Sequence, residues 1–316
     1  MPRIAVIIPA YNRAGVIGRA IDSVLGQDFV DFEIIVVDDG SSDGTAAVAR
    51  GYSDPRVRLV ELGRNRGANA ARNAGIEAAT APLLAFLDSD DSYLQHKLAT
   101  VAAEFDARPE LEVLVDSFVK QCCPESKKPR VERRNPRIAG NAEFERCLFS
   151  RELWKPTSAI SCTREAALRA GLFDESVVRR QDMDFLIRLA KVANCGAIDE
   201  ILWVKGWSAD GISASDQFVA STLAIVERHP QYLGTPDYRV GVAKDLTRHV
   251  LQLLKARRYG QARSDIKLMI GGLGAGLTGL LLALGARELA RKRRLKRRRG
   301  SAEGGAAALA KARRTA

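Results

Sequence analysis

The chain has 316 residues, of which 46% are hydrophobic and 28% charged. That length suits about two domains, or one large α/β unit with a tail. The balance excludes wholesale disorder and leaves enough apolar surface to fold without disulfide or zinc staples. The net charge of +11 is concentrated: twelve basic against two acidic residues from Arg287 to Ala316 carry +10, leaving +1 on the rest. A near-neutral body with a basic tail disfavours nucleic acid as the partner and suggests a tether or solvated arm. The cysteines, Cys122, Cys123, Cys147, Cys162 and Cys195, are odd in number and form no C-x-x-C pair, which argues against a disulfide framework or structural zinc and fits a reducing cytosol.

Met1-Pro2-Arg3 leads directly into Ile4–Ile8, a strand-length apolar run, so no cleavable signal peptide is expected. A helix with an apolar stripe follows over 14–25, then a strand over 33–37 and a turn-rich loop, 38–45. A short helix over 45–50, a strand over 57–62, a helix over 68–79 and a strand over 83–87 come next. They are followed by a helix over 94–105 and a strand over 113–119. This β-α-β-α order predicts right-handed crossovers, a mainly parallel sheet with helices on both faces, and a ligand crevice beyond the strands' carboxyl ends. Residues 121–140 read as a polar loop. Strands are expected over 159–163 and 202–207, helices over 165–170 and 182–192, helical structure over 216–265, and disorder over 300–316.

Asp38 and the group Asp88-Ser89-Asp90-Asp91 both fall at strand ends. Taken singly, such an acid caps a helix or accepts turn hydrogen bonds. Asp88 and Asp90 emerge together from the apolar run ending at Leu87, and adjacent carboxylates repel unless a cation or donor balances them. A hard divalent ion such as Mg²⁺ or Mn²⁺ is the simplest balance, and it keeps open positions for a diphosphate. Trp154 either stacks on a sugar ring or fills core. Cys122-Cys123 and the scattered His96, His229 and His249 show no catalytic or metal-binding pattern.

Four stretches in order, 6–12 (VIIPAYN), 33–45 (EIIVVDDGSSDGT), 65–73 (NRGANAARN) and 88–91 (DSDD), resemble the family-2 inverting glycosyltransferases of GT-A fold. The resemblance extends through 171–175 (GLFDE) and 181–189 (QDMDFLIRL) and covers roughly residues 3–207. It implies a GT-A catalytic domain over 1–207, with a nucleotide-sugar half (1–120) and an acceptor-side half (121–207), followed by a helical extension over 208–267. By that resemblance Pro9, Ala10 and Tyr11 line the nucleotide pocket and Asp38 hydrogen-bonds the base, commonly uracil. Arg72 lies near the nucleotide, Asp88 reaches the ribose with Ser89 in the same donor-binding set, and Asp90 binds Mn²⁺ or Mg²⁺. Asp182 is the catalytic base, with Gln181 standing where the family usually has Glu. The activity implied is metal-dependent, inverting transfer of one sugar from a nucleotide-sugar donor, UDP-linked, to a hydroxyl acceptor. The Gln-x-x-Arg-Trp stretch of processive synthases is not found. The alternatives are a catalytically altered homologue that binds sugar nucleotide and, further off, a nucleic-acid binder using its tail, whose affinity would fall steeply with salt. No G-x-G-x-x-G or glycine-rich phosphate loop follows the first strand, which disfavours dinucleotide enzymes and sugar nucleotidyltransferases.

Residues 268–286 contain no charge, and at 1.5 Å per residue this run reaches about 28 Å, just enough to span a bilayer. A single span would separate the catalytic domain, which needs cytosolic sugar nucleotides, from the basic cluster of 287–299, which the positive-inside rule also keeps inside. The expectation is therefore an interfacial or re-entrant anchor over 268–299 on the cytoplasmic membrane face, drawn to anionic lipid. The alternative is a buried helical hairpin. Membrane contact would make a lipid-linked or cell-envelope glycan the natural acceptor.

Overall fold

Apolar runs near the N-terminus form β1 (Ile4–Ala10), β2 (Phe32–Asp38) and β4 (Leu83–Phe86), and the mixed run VRLVE forms β3 (Val57–Glu61), all parallel. Helices α1 (Ile17–Leu25), α2 (Thr45–Arg50) and α3 (Ala68–Ala78) make the crossovers. Every residue of β1, β2 and β4 is buried, as unbroken apolar runs covered on both faces should be. The computed structural model describes residues 1–122, 130–206, 217–284, 286–287 and 290. These fall into two compact units, 1–221 and from 222 onward.

In the first unit the chain continues through β5 (Ser92–Tyr93), α4 (Lys97–Ala107), β6 (Val113–Gln121), β7 (Arg130–Arg133) and α5 (Asn141–Ser150). A 3₁₀ turn (Thr157–Ala159), β8 (Ile160–Thr163), α6 (Arg164–Arg169), α7 (Gln181–Ala190) and β9 (Cys195–Lys205) complete it. The sheet order is β3-β2-β1-β4-β8-β6-β9-β5, with β7 on β6. From β8 onward the sheet is mixed: β8 runs antiparallel to β4 and β6, β9 parallel to β6, and β5 antiparallel to β9. The chain steps from β1 out to β3 and then returns to β1's other side as β4. The carboxyl ends of β1 and β4 therefore flank a switch-point crevice. Beneath it Phe86, Phe173 and Phe185 pack ring to ring, with centroids 4.0–6.2 Å apart.

Several boundaries differ from the sequence reading. The predicted loop 121–140 contains β7, whose alternating half-exposed and exposed residues Arg130-Val131-Glu132-Arg133 form a charged edge with little apolar signal. Helix α5 lies in a stretch given no element. The expected strand 202–207 is the second half of β9, whose first half carries Gly196, Asp199 and Glu200; Trp207 lies outside the described residues. Helix α4 begins at Lys97 rather than 94, because Ser92 and Tyr93 pair with β9 and the Leu94 amide donates to Leu202.

The second unit is helical, as expected. Helix α8 (Phe218–Arg228) leads into it, followed by α9 (Gln231–Gly234), α10 (Pro236–Lys255), α11 (Tyr259–Leu273) and α12 (Ala275–Leu284). Val242, Leu246, Met269 and Leu281 are buried in it, and His249 Nε2 pairs with Asp265 Oδ2 at 2.7 Å. The uncharged run is not one rod: it breaks at Gly274, whose φ of +78° ends α11, and α11 and α12 meet with a 118° bend. No single described helix is long and apolar enough to cross a membrane. The basic stretch 291–299 and the predicted disorder over 300–316 lie outside the described residues.

Candidate active site

The β1 and β2 ends are tied to each other by short side chains. Asn12 is left-handed (φ +52°); its amide donates to Ser41 Oγ at 2.9 Å, and its Oδ1 accepts from the Ser42 amide at 2.9 Å. Pro9 and Ala10 are buried, and the Tyr11 ring is 43% exposed at the rim. Ala10 is in register with Asp38 on the neighbouring strand. Asp38 is buried; its Oδ2 accepts from the Ser41 amide at 3.0 Å, and its Oδ1, also buried, has no hydrogen-bond partner among the described residues. An unpaired buried carboxylate oxygen is costly, so a ligand donor at this point would relieve it. Asp39, which the sequence reading did not single out, accepts from the Arg66 and Gly67 amides at 2.8 Å and so holds the loop entering α3.

Arg72, on α3, is buried; it donates to Asp88 Oδ1 at 2.8 Å and lies over the Phe173 ring. Burial alone would raise the Asp88 pKa, but the charges of Arg72 and Lys205 outweigh it and hold the carboxyl below its ordinary range. Ser89 is buried between the two acids. Asp91 is fully buried, accepting from Ser158 Oγ at 2.6 Å and from the Gly206 amide at 2.9 Å. Burial pushes its pKa up to about 7, with Lys205 pulling the other way. Ser158 Oγ also accepts from the Asp88 amide at 3.0 Å, so one hydroxyl spans the loop. The Asp90 carboxylate is half-buried and has no hydrogen-bond partner among the described residues; its carbonyl accepts from Arg19 at 2.6 Å.

Asp182 sits in the first turn of α7, just past Arg180, which is left-handed (φ +65°), and its Oδ1 accepts from the Met183 amide at 2.8 Å. Lys155 and Lys205 both interact electrostatically with Asp182. Lys205 interacts in the same way with Asp88, Asp90 and Asp91, which links the acids of the β4 loop to the acid of α7. Gln181 opens α7. Trp154 is 40% exposed with the Arg133 guanidinium 4.5 Å from its ring centroid, so it is not core.

No group of three or more His, Cys, Asp or Glu side chains suited to a metal ion occurs among the described residues. The set nonetheless fits Mg²⁺ or Mn²⁺ bound together with a diphosphate. Such an ion takes one or two carboxylates and leaves the remaining positions to substrate and water, and Asp90 offers an uncommitted, half-buried carboxylate beside the crevice.

Residues 5–174, more than half of the chain, match the family described as glycosyl transferase family 2. The chain belongs to this family. Among its relatives, the succinoglycan biosynthesis protein ExoO of Rhizobium meliloti is 47% identical over 107 residues, 34% of this chain and 31% of ExoO. The GalNAc(5)-diNAcBac-PP-undecaprenol beta-1,3-glucosyltransferase of Campylobacter jejuni is 38% identical over 104 residues, 32% of this chain and 34% of that protein. The match thus spans about a third of these relatives. TarS of S. aureus, solved in complex with UDP-GlcNAc, superposes with a TM-score of 0.64 at 19% identity, over 85% of this chain and 81% of that one. The likeness establishes the expected α/β architecture of GT-A type for the family 2 chain.

Proposed function

We propose that this family 2 protein transfers a single sugar, with inversion, from a UDP-sugar to a hydroxyl of a lipid-linked or cell-envelope glycan. The reading is supported by the unpartnered Asp38 oxygen and the Asp88–Asp91 loop at the carboxyl ends of β2 and β4, on either side of β1, and above all by Lys205, which interacts electrostatically with Asp88, Asp90, Asp91 and Asp182 alike. The UDP donor is supported by the TarS complex with UDP-GlcNAc, and the acceptor class by the undecaprenol-linked substrate in the name of the Campylobacter relative.

The catalytic unit is residues 1–207. Asp38 Oδ1 takes a donor from the base, Pro9, Ala10 and Tyr11 line the nucleotide pocket, Arg72 fixes Asp88, and Asp88 receives the ribose with Ser89 in the same donor-binding set. Breaking the bond between sugar and diphosphate builds positive charge on the anomeric carbon and negative charge on the leaving group. A divalent cation on Asp90, Mn²⁺ or Mg²⁺, would supply charge neutralisation at the diphosphate. The acceptor hydroxyl is a poor nucleophile at neutral pH, and Asp182 accepts its proton as the new bond forms, so a single displacement inverts the centre. Exposed Trp154 offers an apolar face for an acceptor sugar ring.

We place the enzyme on the cytoplasmic membrane face through the bent α11–α12 pair and the basic residues of 287–299. The support is the uncharged run itself and the attraction of roughly 1 kcal/mol per basic residue to anionic lipid. Deleting residues 266–316 should move the protein out of the membrane fraction; unchanged fractionation removes this part of the reading. The activity is tested by screening UDP-sugars for Mn²⁺-dependent release of UDP. Release with a glycan acceptor, and none from Asp182→Ala, is expected; no release from any sugar nucleotide would refute the assignment.

A further inference from the structure

We propose that Lys205 is the built-in counter-ion of the 88–91 loop and makes the metal and the donor's diphosphate bind as a pair. The inference rests on the function proposed above and assigns a role to a residue outside the family motifs. Lys205 is the last residue of β9, and its Nζ lies 3.8 Å from Asp91 Oδ2. The Asp91 side chain is wholly buried whereas that of Lys205 is 30% exposed, so the ammonium stands at the boundary between the loop and the crevice. The strand end is clamped there. The Gly206 amide donates to Asp91 Oδ1 at 2.9 Å, and Gly206 packs so closely on the Asp90 carbonyl that any Cβ would collide with it. Arg19 donates to that same carbonyl at 2.6 Å.

The charges can be taken in turn. Among the described residues, Arg72 and Lys205 are the cations that interact with the carboxylates of Asp88, Asp90 and Asp91, while Arg19 is bound to the Asp90 carbonyl. Arg72 is held by Asp88 and stays buried, whereas Lys205 carries the flexible stem and three donors of a lysine at the rim. A divalent ion on Asp90 adds positive charge beside Lys205 and is opposed by it. A diphosphate brings negative charge that serves both the ion and the ammonium, so each ligand lowers the cost of binding the other. Linkage makes that coupling reciprocal.

The test uses the full chain with Mn²⁺ alone, UDP alone, and both together, measured by titration calorimetry on wild type, Lys205→Met and Lys205→Gln. The neutral variants should bind Mn²⁺ alone about three- to tenfold tighter and UDP with saturating Mn²⁺ about tenfold more weakly, with the coupling between them reduced. Opposite signs are the signature: a residue that only supports the fold would weaken both ligands. Unchanged binding of both, or a parallel loss of both in the two variants, overturns the proposal. Failure of the wild-type protein to bind UDP with Mn²⁺ is a different result, because it strikes at the proposed function and is visible without any variant.

Discussion

The two halves of the sheet are built differently. In β3-β2-β1-β4 the strands are linked by single helical crossovers; β1, β2 and β4 are buried along their whole length, and β3 is the half-exposed edge. In β8-β6-β9-β5 the partners are remote: Leu83 faces Thr163, Val113 faces Cys195, and Ser92 faces Val204. Remote pairing needs more than apolar runs to specify it, and this half accordingly carries buried polar devices. Fully buried Lys97 on α4 pairs with fully buried Asp116 on β6, and Lys97 Nζ also donates to the Ser158 carbonyl at 3.2 Å. Asn135 binds the Asp116 and Trp154 carbonyls at 2.8 and 2.9 Å. The donor-side acids thus stand on a locally coded scaffold, whereas Asp182 and Lys205 are delivered by the half that long-range polar contacts hold.

The contrast is open to direct attack. Asp116→Asn leaves an uncompensated buried ammonium and should cost about 3–5 kcal/mol in denaturant unfolding. A loss under about 1 kcal/mol would mean that the mixed half does not depend on this pair. Next in size is Arg72→Met, which strips Asp88 of its partner across the α3–β4 boundary. About 1.5–3 kcal/mol of stability should go with it, together with weaker UDP binding; unchanged UDP binding would detach Asp88 from the donor. A smaller effect concerns pH. Burial pushes the Lys155 pKa down to about 7 from 10.5 against the opposing pull of Asp182. The folded protein then holds fewer protons than the unfolded chain between those values, so stability should rise with pH across that window. Thermal midpoints at about pH 7 and 9 should show the rise in wild type and lose it in Lys155→Met. Smallest is Arg50→Ala, which removes an exposed ion pair with Glu61 in the local half and should cost at most about 1 kcal/mol.

The same division governs what could be read from the chain. The central strands of the first half, β1, β2 and β4, are mostly apolar runs bounded by turn residues, so length and composition identify them together, and Asp38, Asp88 and Asp90 fall at or just past the ends of β2 and β4. Asp182 was reachable only through the family resemblance, because an acid in a first helical turn is by itself a cap. Strand β7, helix α5 and the first half of β9 were missed: one is a charged edge, and the last carries Gly196 and two exposed acids in place of alternation. Lys205 and Ser158 gave no local signal at all. A lysine at a strand end and a serine after Pro156 become informative only when folding sets them against the 88–91 loop.

The claim on which the rest depends is that an acid from the local half and an acid from the remote half serve one reaction in separate roles. Parallel measurement of UDP binding with Mn²⁺ and of sugar transfer, on Asp90→Ala and Asp182→Ala, tests it most directly. Asp90→Ala should weaken UDP binding at least about tenfold, whereas Asp182→Ala should bind UDP as wild type does and lose about 10²–10⁴-fold in turnover. Wild-type turnover in Asp182→Ala, or equal loss of UDP binding in both variants, would contradict the account.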